Sequence, residues 1–451
     1  MSRSSRLPQE VTIEVVELTL DGSGRGWVEE REVRLRNSLP GERATGVIRK
    51  RARGVLHGDA QKIESPDVDR ILPPCSVFSR CGACNFQHLA PKSELRFKQS
   101  QVLDLLRREG VVPQRVRRPV TSPLFGYRRK ARLGIRKVGE QVFVGFREAF
   151  SGRIVDMQEC PVLDPRLAAL IKPLREAIAA SSIPDQIPQI EVAAGDDSTA
   201  LVLRHLAPLS AGDMQLFSGL AEQFRTSLWL QPGGPDSIVH VAGASPVLSY
   251  GNPDFGLLFQ FGPLDFVQVN SAINRALVQS AVAALADCGD VLDLFCGLGN
   301  FSLALARAGH RVSGLEAGDQ AVRLAEHNAA FNGLSALTRF ETADLYGPAG
   351  ESLDIPASCD GLLLDPPRLG AGPNLFLWLE SAIRRVVYVS CNPVTFAADA
   401  RVLNAHGFQL EEVGVFDMFP RTAHVESFGI FERRRSGVLS PGAETIPTWS
   451  R

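Results

Sequence analysis

Val291–Ser302 reads VLDLFCGLGNFS, and the order of its parts decides the fold. An apolar run of strand length is followed by a turn containing Gly297 and Gly299, and then by the helical pattern FSLALARAG. Glycine lets the backbone turn tightly there and lets a ligand come close to the main chain. Glu316, 19 residues beyond Gly297, ends the next strand pattern, RVSGLE, at the spacing where an acid holds a ribose diol. Outward from this core, a helix over Ala272–Ala286, VLDLF, FSLALARAG, RVSGLE, AVRLAEHNAAFNG, LTRFETAD, GLLLD and RRVVYVS give mostly alternating strand and helix. That alternation predicts an α/β, doubly wound, Rossmann-like domain with right-handed crossovers over residues 263–434. The tail at 435–451 is polar and broken by prolines, and is expected to be disordered.

Chemistry gathers in three short segments of the same half: LDPPR (Leu364–Arg368), YVSCNP (Tyr388–Pro393) and HVES (His424–Ser427). Cys391 follows an apolar strand pattern, so its thiol emerges at a strand end, where open α/β sheets collect their catalytic groups. Asp365 and Glu426 place a carboxylate before and after it, a composition suited to covalent catalysis. Taken alone, Cys391 reads as one more buried cysteine and Glu426 as a surface carboxylate; the combination favours chemistry. The glycine loop by itself fits a dinucleotide or S-adenosylmethionine.

The first 66 residues read as short strands separated by glycine-rich turns, which predicts a small β-barrel. Arg49, Lys50, Arg51 and Arg53 give it a basic strand region suited to nucleic acid in the manner of an OB-like fold. Residues 67–262 read as a central α+β domain, part of which, about 91–120, is expected to pack with the C-terminal domain. The chain carries 49 Lys and Arg against 50 Asp and Glu, so any nucleic-acid binding rests on local clusters. Pro91–Glu140 is such a cluster, with 14 basic residues against four acidic ones. The N-terminus lacks a signal-peptide pattern and no run approaches eighteen apolar residues, so a cytoplasmic protein with no membrane partner is expected. Its eight cysteines are then ligands, nucleophiles or core residues rather than disulfides. Cys75, Cys81 and Cys84 form C-x5-C-x2-C and Cys160 lies downstream in QECPVL. Four such thiolates hold either an iron-sulfur cluster or structural zinc. The spacing departs from the C-x3-C-x2-C run of radical S-adenosylmethionine enzymes. Cys288, Cys296 and Cys359 are assigned to packing.

The glycine loop with Asp293 four residues before Gly297 resembles that of class I S-adenosylmethionine methyltransferases. With LDPPR, SCNP, HVES and FVQVN (Phe266–Asn270) added, nearly the whole chain resembles the RNA uracil-C5 methyltransferases. Within them it is similar to the branch that carries a leading TRAM barrel and a four-cysteine site and acts on 23S rRNA. The resemblance implies S-adenosyl-L-methionine held by Gln268, Asp293, Phe295, Gly297, Gly299, Asn300, Glu316, Asp344 and Asp365. It implies Cys391 as nucleophile, Glu426 as general base, and a [4Fe-4S] cluster on Cys75, Cys81, Cys84 and Cys160, with zinc as the alternative. The implied product is 5-methyluridine in 23S rRNA, made by a monomer that flips its target base. Phe419 stands where a ring could stack on that base, and reads more simply as core.

Two rival readings share these features: the same chemistry on a tRNA uridine, and a silent RNA-binding or ribosome-assembly factor. Intact Cys391, Glu426 and Asp365 argue against the second. The sequence departs from the family at Arg421, where a histidine is common, and at Leu369, where a small residue is frequent.

Overall fold

The computed structural model describes residues 10–243, 246–351, 353, 355–380 and 382–434. The tail over 435–451 lies outside the described residues.

An eight-stranded sheet organises the C-terminal half. Its order is Thr338–Thr342, Arg311–Glu316, Asp290–Leu294, Cys359–Leu364, Arg385–Ser390, Glu426–Arg433, Phe408–Phe416 and Arg115–Val116. Neighbours are parallel from Thr338–Thr342 to Arg385–Ser390, and Glu426–Arg433 runs antiparallel to both strands beside it. The chain enters the sheet's middle at Asp290–Leu294, builds outward to Thr338–Thr342, and returns to the other side through Cys359–Leu364. A crevice opens where that direction reverses, beyond the C-terminal ends of the two central strands.

Both faces of the sheet are covered, which is why its strands read as nearly unbroken apolar runs. Leu363 and Val387 face one core with Leu277 and Val278 of the helix Ser271–Leu285. Leu362, Leu364, Val386 and Tyr388 face the other with Phe396 and Leu403 of the helix Pro393–Ala405. The helix after the glycine loop, Ser302–Arg307, is buried over Ser302–Ala306. Residues 91–120 join this sheet: Val102 and Leu106 of the helix Pro91–Arg108 enter the second core, and Arg115 and Val116 pair with Glu412 and Val413.

At the N-terminus, Glu10–Glu14 pairs with Arg43–Ala52 while Glu17–Leu18 pairs with Gly24–Val28. These two segments lie at the opposite edges of a six-stranded sheet that packs around Ile13, Val33, Leu35 and Leu56. Gly26 has to be glycine, because a Cβ there would sit 2.3 Å from the Glu14 carbonyl oxygen. A second six-stranded sheet, from Lys130–Val138 and Gln141–Gly145 through Gln189–Ala194 and Thr199–Arg204 to Thr226–Gln231 and Val239–Ala242, forms the middle of the chain. The helices Ile171–Ala180 and Ala211–Gln223 share its core through Leu174 and Phe217.

Candidate active site

Strand register brings the three sequence segments together. Ser390 pairs with Ser427 at the end of the antiparallel ladder, so Cys391 and Glu426 are the next residues on adjacent strands at that edge. Asp365 leaves the neighbouring strand one residue after Leu364, which pairs with Tyr388. Pro366 and Pro367 fix the backbone that follows it. Cys391 also precedes the helix Pro393–Ala405, whose cap is Asn392: its side chain accepts from the Val394 amide at 3.1 Å and donates to the Arg368 carbonyl at 2.8 Å. A helix N-terminus favours a negative sulfur.

Cys391 opens on a cleft of about 470 Å³ that Arg368, Asn392 and His424 line from the catalytic half, and Asp21 and Asn85 from the N-terminal parts. Arg368 hydrogen-bonds the His424 ring through Nη2. Burial pushes the Cys391 thiol up to about 11, with Glu426 and Asp365 adding to the rise and Arg368 opposing it. Glu426 is buried, and burial followed by the charge of Asp365 raises its carboxyl well above the usual range. Asp365 is raised to about 7, first by burial and then by Asp293, while Gln268 Nε2 hydrogen-bonds its Oδ2 at 3.3 Å and opposes the rise. Asp293 is raised to about 7 by burial, with Glu316 adding to it. Glu316 adds to the rise at Asp293, Asp293 to that at Asp365, and Asp365 to that at Glu426, so the carboxylates form a row. A cation bound beside Asp293, Asp365 and Glu426 would favour their ionised forms.

The glycine loop turns as its residue types require. Phe295, Gly297 and Gly299 have φ of 67°, 55° and 89°, and a Cβ on Gly297 would meet nothing within 4 Å, which leaves open space over the loop. Glu316 accepts from the amides of Gly297 at 3.2 Å and Gly318 at 3.1 Å, which aims its carboxylate across the loop. Asp344 is exposed and accepts from the Tyr346 amide, and the Tyr346 ring lies 5.8 Å from that of Phe295. Asn300 exchanges two hydrogen bonds with Asn274 at 2.8 and 2.9 Å and accepts one from Tyr250, tying the loop to its neighbours. Asp293 lies within the strand rather than in the loop and is fully buried. Its Oδ2 accepts from Ser302, and its Oδ1 has no partner among the described residues.

A model of the tRNA (uracil-5-)-methyltransferase family matches residues 254–346 and 350–435. A protein of Alkalilimnicola ehrlichii named 23S rRNA (uracil(1939)-C(5))-methyltransferase RlmD is 43% identical over 441 residues, covering 96% of this chain and 98% of that one. The chain belongs to the RNA uracil-5-methyltransferase family. A relative of the same name from Hahella chejuensis is 39% identical over 443 residues, covering 96% of this chain and 99% of its own. Among solved structures, the Pyrococcus abyssi tRNA (uracil-54, C5)-methyltransferase in complex with S-adenosyl-L-homocysteine superposes with a TM-score of 0.72. It covers 93% of this chain and all of its own, at 23% identity, and so speaks for the fold.

The segments LDPPR, YVSCNP and HVES therefore meet at one sheet edge, and Ala83 and Asn85, on either side of Cys84, line the same cleft as Cys391. Cys81, Cys84 and Cys160 are buried, and burial raises all four thiols: Cys84 to about 12 and Cys160 to about 11. Cys75 and Cys81 add to the rise at Cys84 and Cys160, so the thiols share one neighbourhood. As the side chains stand, no trio of His, Cys, Asp or Glu among the described residues is arranged to hold a metal ion. Cys288, Cys296 and Cys359 are buried in the cores. The Phe419 ring meets His424 edge-on at 5.4 Å and is partly buried against the first core.

Sequence reasoning missed what holds the loop ahead of Glu426. Lys98, buried in the helix Pro91–Arg108, donates to Glu94 at 2.8 Å, to Asp417 at 2.7 Å and to the Phe419 carbonyl at 3.1 Å. Arg421, also buried, donates to Glu94 at 2.8 Å, and its carbonyl accepts from the amides of Asn85 and Phe86 at 3.0 Å. Arg421 thus completes a buried cluster of two cations and two carboxylates. In the sequence Arg421 shows only as one charged residue among Asp417, His424 and Glu426.

Proposed function

We propose that this protein methylates C5 of a uridine in 23S rRNA, the position that its relatives' names give as 1939, using S-adenosyl-L-methionine. The carboxylate row from Glu316 to Glu426, ending beside Cys391, carries this reading. The orphaned Asp293 Oδ1, the open space over Gly297 and the Glu316 carboxylate suit a ligand with a cationic amino-acid end and a ribose diol. Gln268, Asp293, Phe295, Gly297, Gly299, Asn300, Glu316, Asp344 and Asp365 form that pocket or brace it. S-adenosyl-L-methionine supplies an electrophilic methyl group there.

C5 of uracil is too weak a nucleophile until its ring is activated. Cys391 as thiolate would add its electron pair to C6, moving the C5–C6 π pair toward O4 as an enolate whose C5 could bond to the methyl carbon while the methyl–sulfur pair returned to sulfur as a neutral thioether. Arg368, the cation beside the thiol, favours the thiolate. Glu426 then takes the proton from C5, the C5–C6 double bond reforms, and the thiolate leaves C6. A carboxylate strongly raised by burial makes an effective base once ionised. Pro366 and Pro367 hold Asp365 beside both groups.

In the same reading, residues 1–66 form a TRAM-type RNA-binding barrel and 67–262 a central domain. Residues 263–434, with 91–120 added, form the catalytic domain. Cys75, Cys81, Cys84 and Cys160 would hold a [4Fe-4S] cluster, a reading supported by four soft donors in one neighbourhood, three of them buried; iron and acid-labile sulfide in anaerobically purified protein test this, and zinc in their place would refute it. The chain acts as a cytoplasmic monomer. Incubation with unmodified 23S rRNA, and separately with tRNA, followed by mapping of 5-methyluridine, tests the function. Methylation of one 23S uridine is expected; methylation of tRNA alone, or of neither, refutes it.

A further inference from the structure

A second groove, of about 1430 Å³, lies between the N-terminal sheet and the central sheet and borders the Cys391 cleft, because Asp21, Gly82, Ala83 and Asn85 line both. We infer that this groove binds the RNA strand flanking the target uridine, with Arg136, Arg147 and Arg153 on its phosphates and Phe150 as a stacking platform for one base. The inference rests on the function proposed above and adds where the rest of the substrate lies.

Charge is the first argument. Arg136, Arg147 and Arg153 are exposed in the groove, and among the described residues none has a carboxylate within ion-pair distance. The groove's two carboxylates are already engaged: Glu148 by Arg80 at 2.7 Å and Ser151 at 2.9 Å, and Asp21 by Thr19 at 2.6 Å and the Ser23 amide at 3.1 Å. Glu148 feels the charge of Arg153, but none of the three guanidinium groups is held in an ion pair, and such exposed cations suit a polyanion. Of the 14 basic residues in Pro91–Glu140, several are engaged within the fold, with Lys98 buried, Arg115 and Arg117 on Glu412, and Arg132, which also lines the groove, on Glu191.

Phe150 is the second. Its ring is exposed, and its backbone adopts φ of 61°, a left-handed conformation that bulky side chains rarely take. Behind the ring stand the Arg36 guanidinium at 5.9 Å and the His57 ring at 6.2 Å. Arg36 is itself buried and fixed by Asp59 at 3.2 Å and the Cys81 carbonyl at 2.7 Å. An aromatic face held outward beside free arginines is the arrangement by which proteins hold single-stranded RNA. The turn that carries it is tied to the shared ridge, since the Gly82 amide donates to the Arg147 carbonyl at 3.0 Å and the Ala149 amide to the Arg80 carbonyl at 3.1 Å. A strand bound there is therefore registered against the Cys391 cleft.

The test uses the full chain and a 23S rRNA fragment containing the target uridine, alongside the same fragment with 5-fluorouridine at the target. The triple variant Arg136→Gln/Arg147→Gln/Arg153→Gln should bind the fragment at least tenfold more weakly. Its slope of log affinity against log salt should be shallower by about 2, as expected when three phosphate contacts are lost from a single strand. Phe150→Gly, which tolerates the left-handed backbone, should weaken binding roughly 5- to 100-fold, and Phe150→Trp should restore it. All variants should still form the covalent adduct at saturating RNA, so KM for RNA rises while kcat holds. Parental affinity and salt slope in the triple variant overturn the phosphate contacts, and equal binding by Phe150→Gly and the parent overturns the platform. Failure of the parent itself to form the adduct would refute the catalytic reading, and the binding data would still judge the groove.

Discussion

Replacing Lys98 by methionine should destabilise the protein by about 3–5 kcal/mol, the range for leaving one partner of a buried ion pair uncompensated. Lys98 is fully buried, and its three ammonium protons have three acceptors at 2.7–3.1 Å. Methionine fills a similar volume, so a cavity adds little. Glu94 keeps Arg421, which reaches it from the backbone amide at 2.7 Å and from Nη1 at 2.8 Å. Asp417 is buried and loses its cation, and the cluster of Lys98, Arg421, Glu94 and Asp417 passes from neutral to one negative charge. The double variant Lys98→Met/Asp417→Leu removes both charges and should recover most of the loss, since apolar replacement of a whole buried pair is often neutral. Urea unfolding followed by tryptophan fluorescence measures both variants. Because the cluster holds the loop before Glu426, kcat of Lys98→Met should fall with little change in KM for S-adenosyl-L-methionine. A loss below 1 kcal/mol, or a double variant equal to the sum of its single changes, would refute the reasoning.

Three further outcomes follow from the site. Glu426→Gln should add to uracil and transfer the methyl group but release product slowly, so protein–RNA adduct accumulates on a denaturing gel with unmodified substrate; rapid turnover would show that another group removes the C5 proton. Asp365 keeps its proton up to about 7 in the folded chain, against roughly 3.9 unfolded, so its contribution is favourable at low pH and lost as pH rises through that window. Thermal melts without ligand should therefore show Asp365→Asn gaining on the parent between about pH 4 and 7, by up to about 4 kcal/mol in stability; a gain that shrinks with pH contradicts the burial argument. Arg368→Met removes the charge that opposes the rise at Cys391, so adduct formation should slow at neutral pH and its pH profile should move alkaline. An unchanged profile would show that Arg368 does not act on the thiol.

Much of the catalytic half was legible because its information is local. VLDLFCGLGNFS carries strand, turn and helix in twelve residues, and the strand observed at Asp290–Leu294 covers all but the last residue of the run VLDLF. The helix expected from Ala272 to Ala286 is found at Ser271–Leu285, with Asn270 as its cap. What the sequence hid is long-range. Glu426–Arg433 reads weakly as a strand, and its register against Arg385–Ser390 is what sets Glu426 beside Cys391. Arg115 looked like part of a basic face until the pairing with Glu412 placed it, 297 residues away, on the edge of the catalytic sheet. Asp293 read as the opening of the loop, and its burial instead makes it a brace for Ser302. Phe150 carried no signal, because a left-handed backbone and an exposed ring are properties of a turn's geometry and not of its composition.

The central claim is that Cys391 bonds to C6 of the target uracil. Incubation with S-adenosyl-L-methionine and a 23S rRNA fragment bearing 5-fluorouridine at the target, followed by nuclease and protease digestion and mass spectrometry, tests it directly. Fluorine at C5 leaves Glu426 no proton to remove, so the account predicts a stable methylated nucleotide linked to the peptide containing Cys391, absent from Cys391→Ala. A linkage at another residue, or methylation of normal RNA by Cys391→Ala at the parental rate, would contradict it.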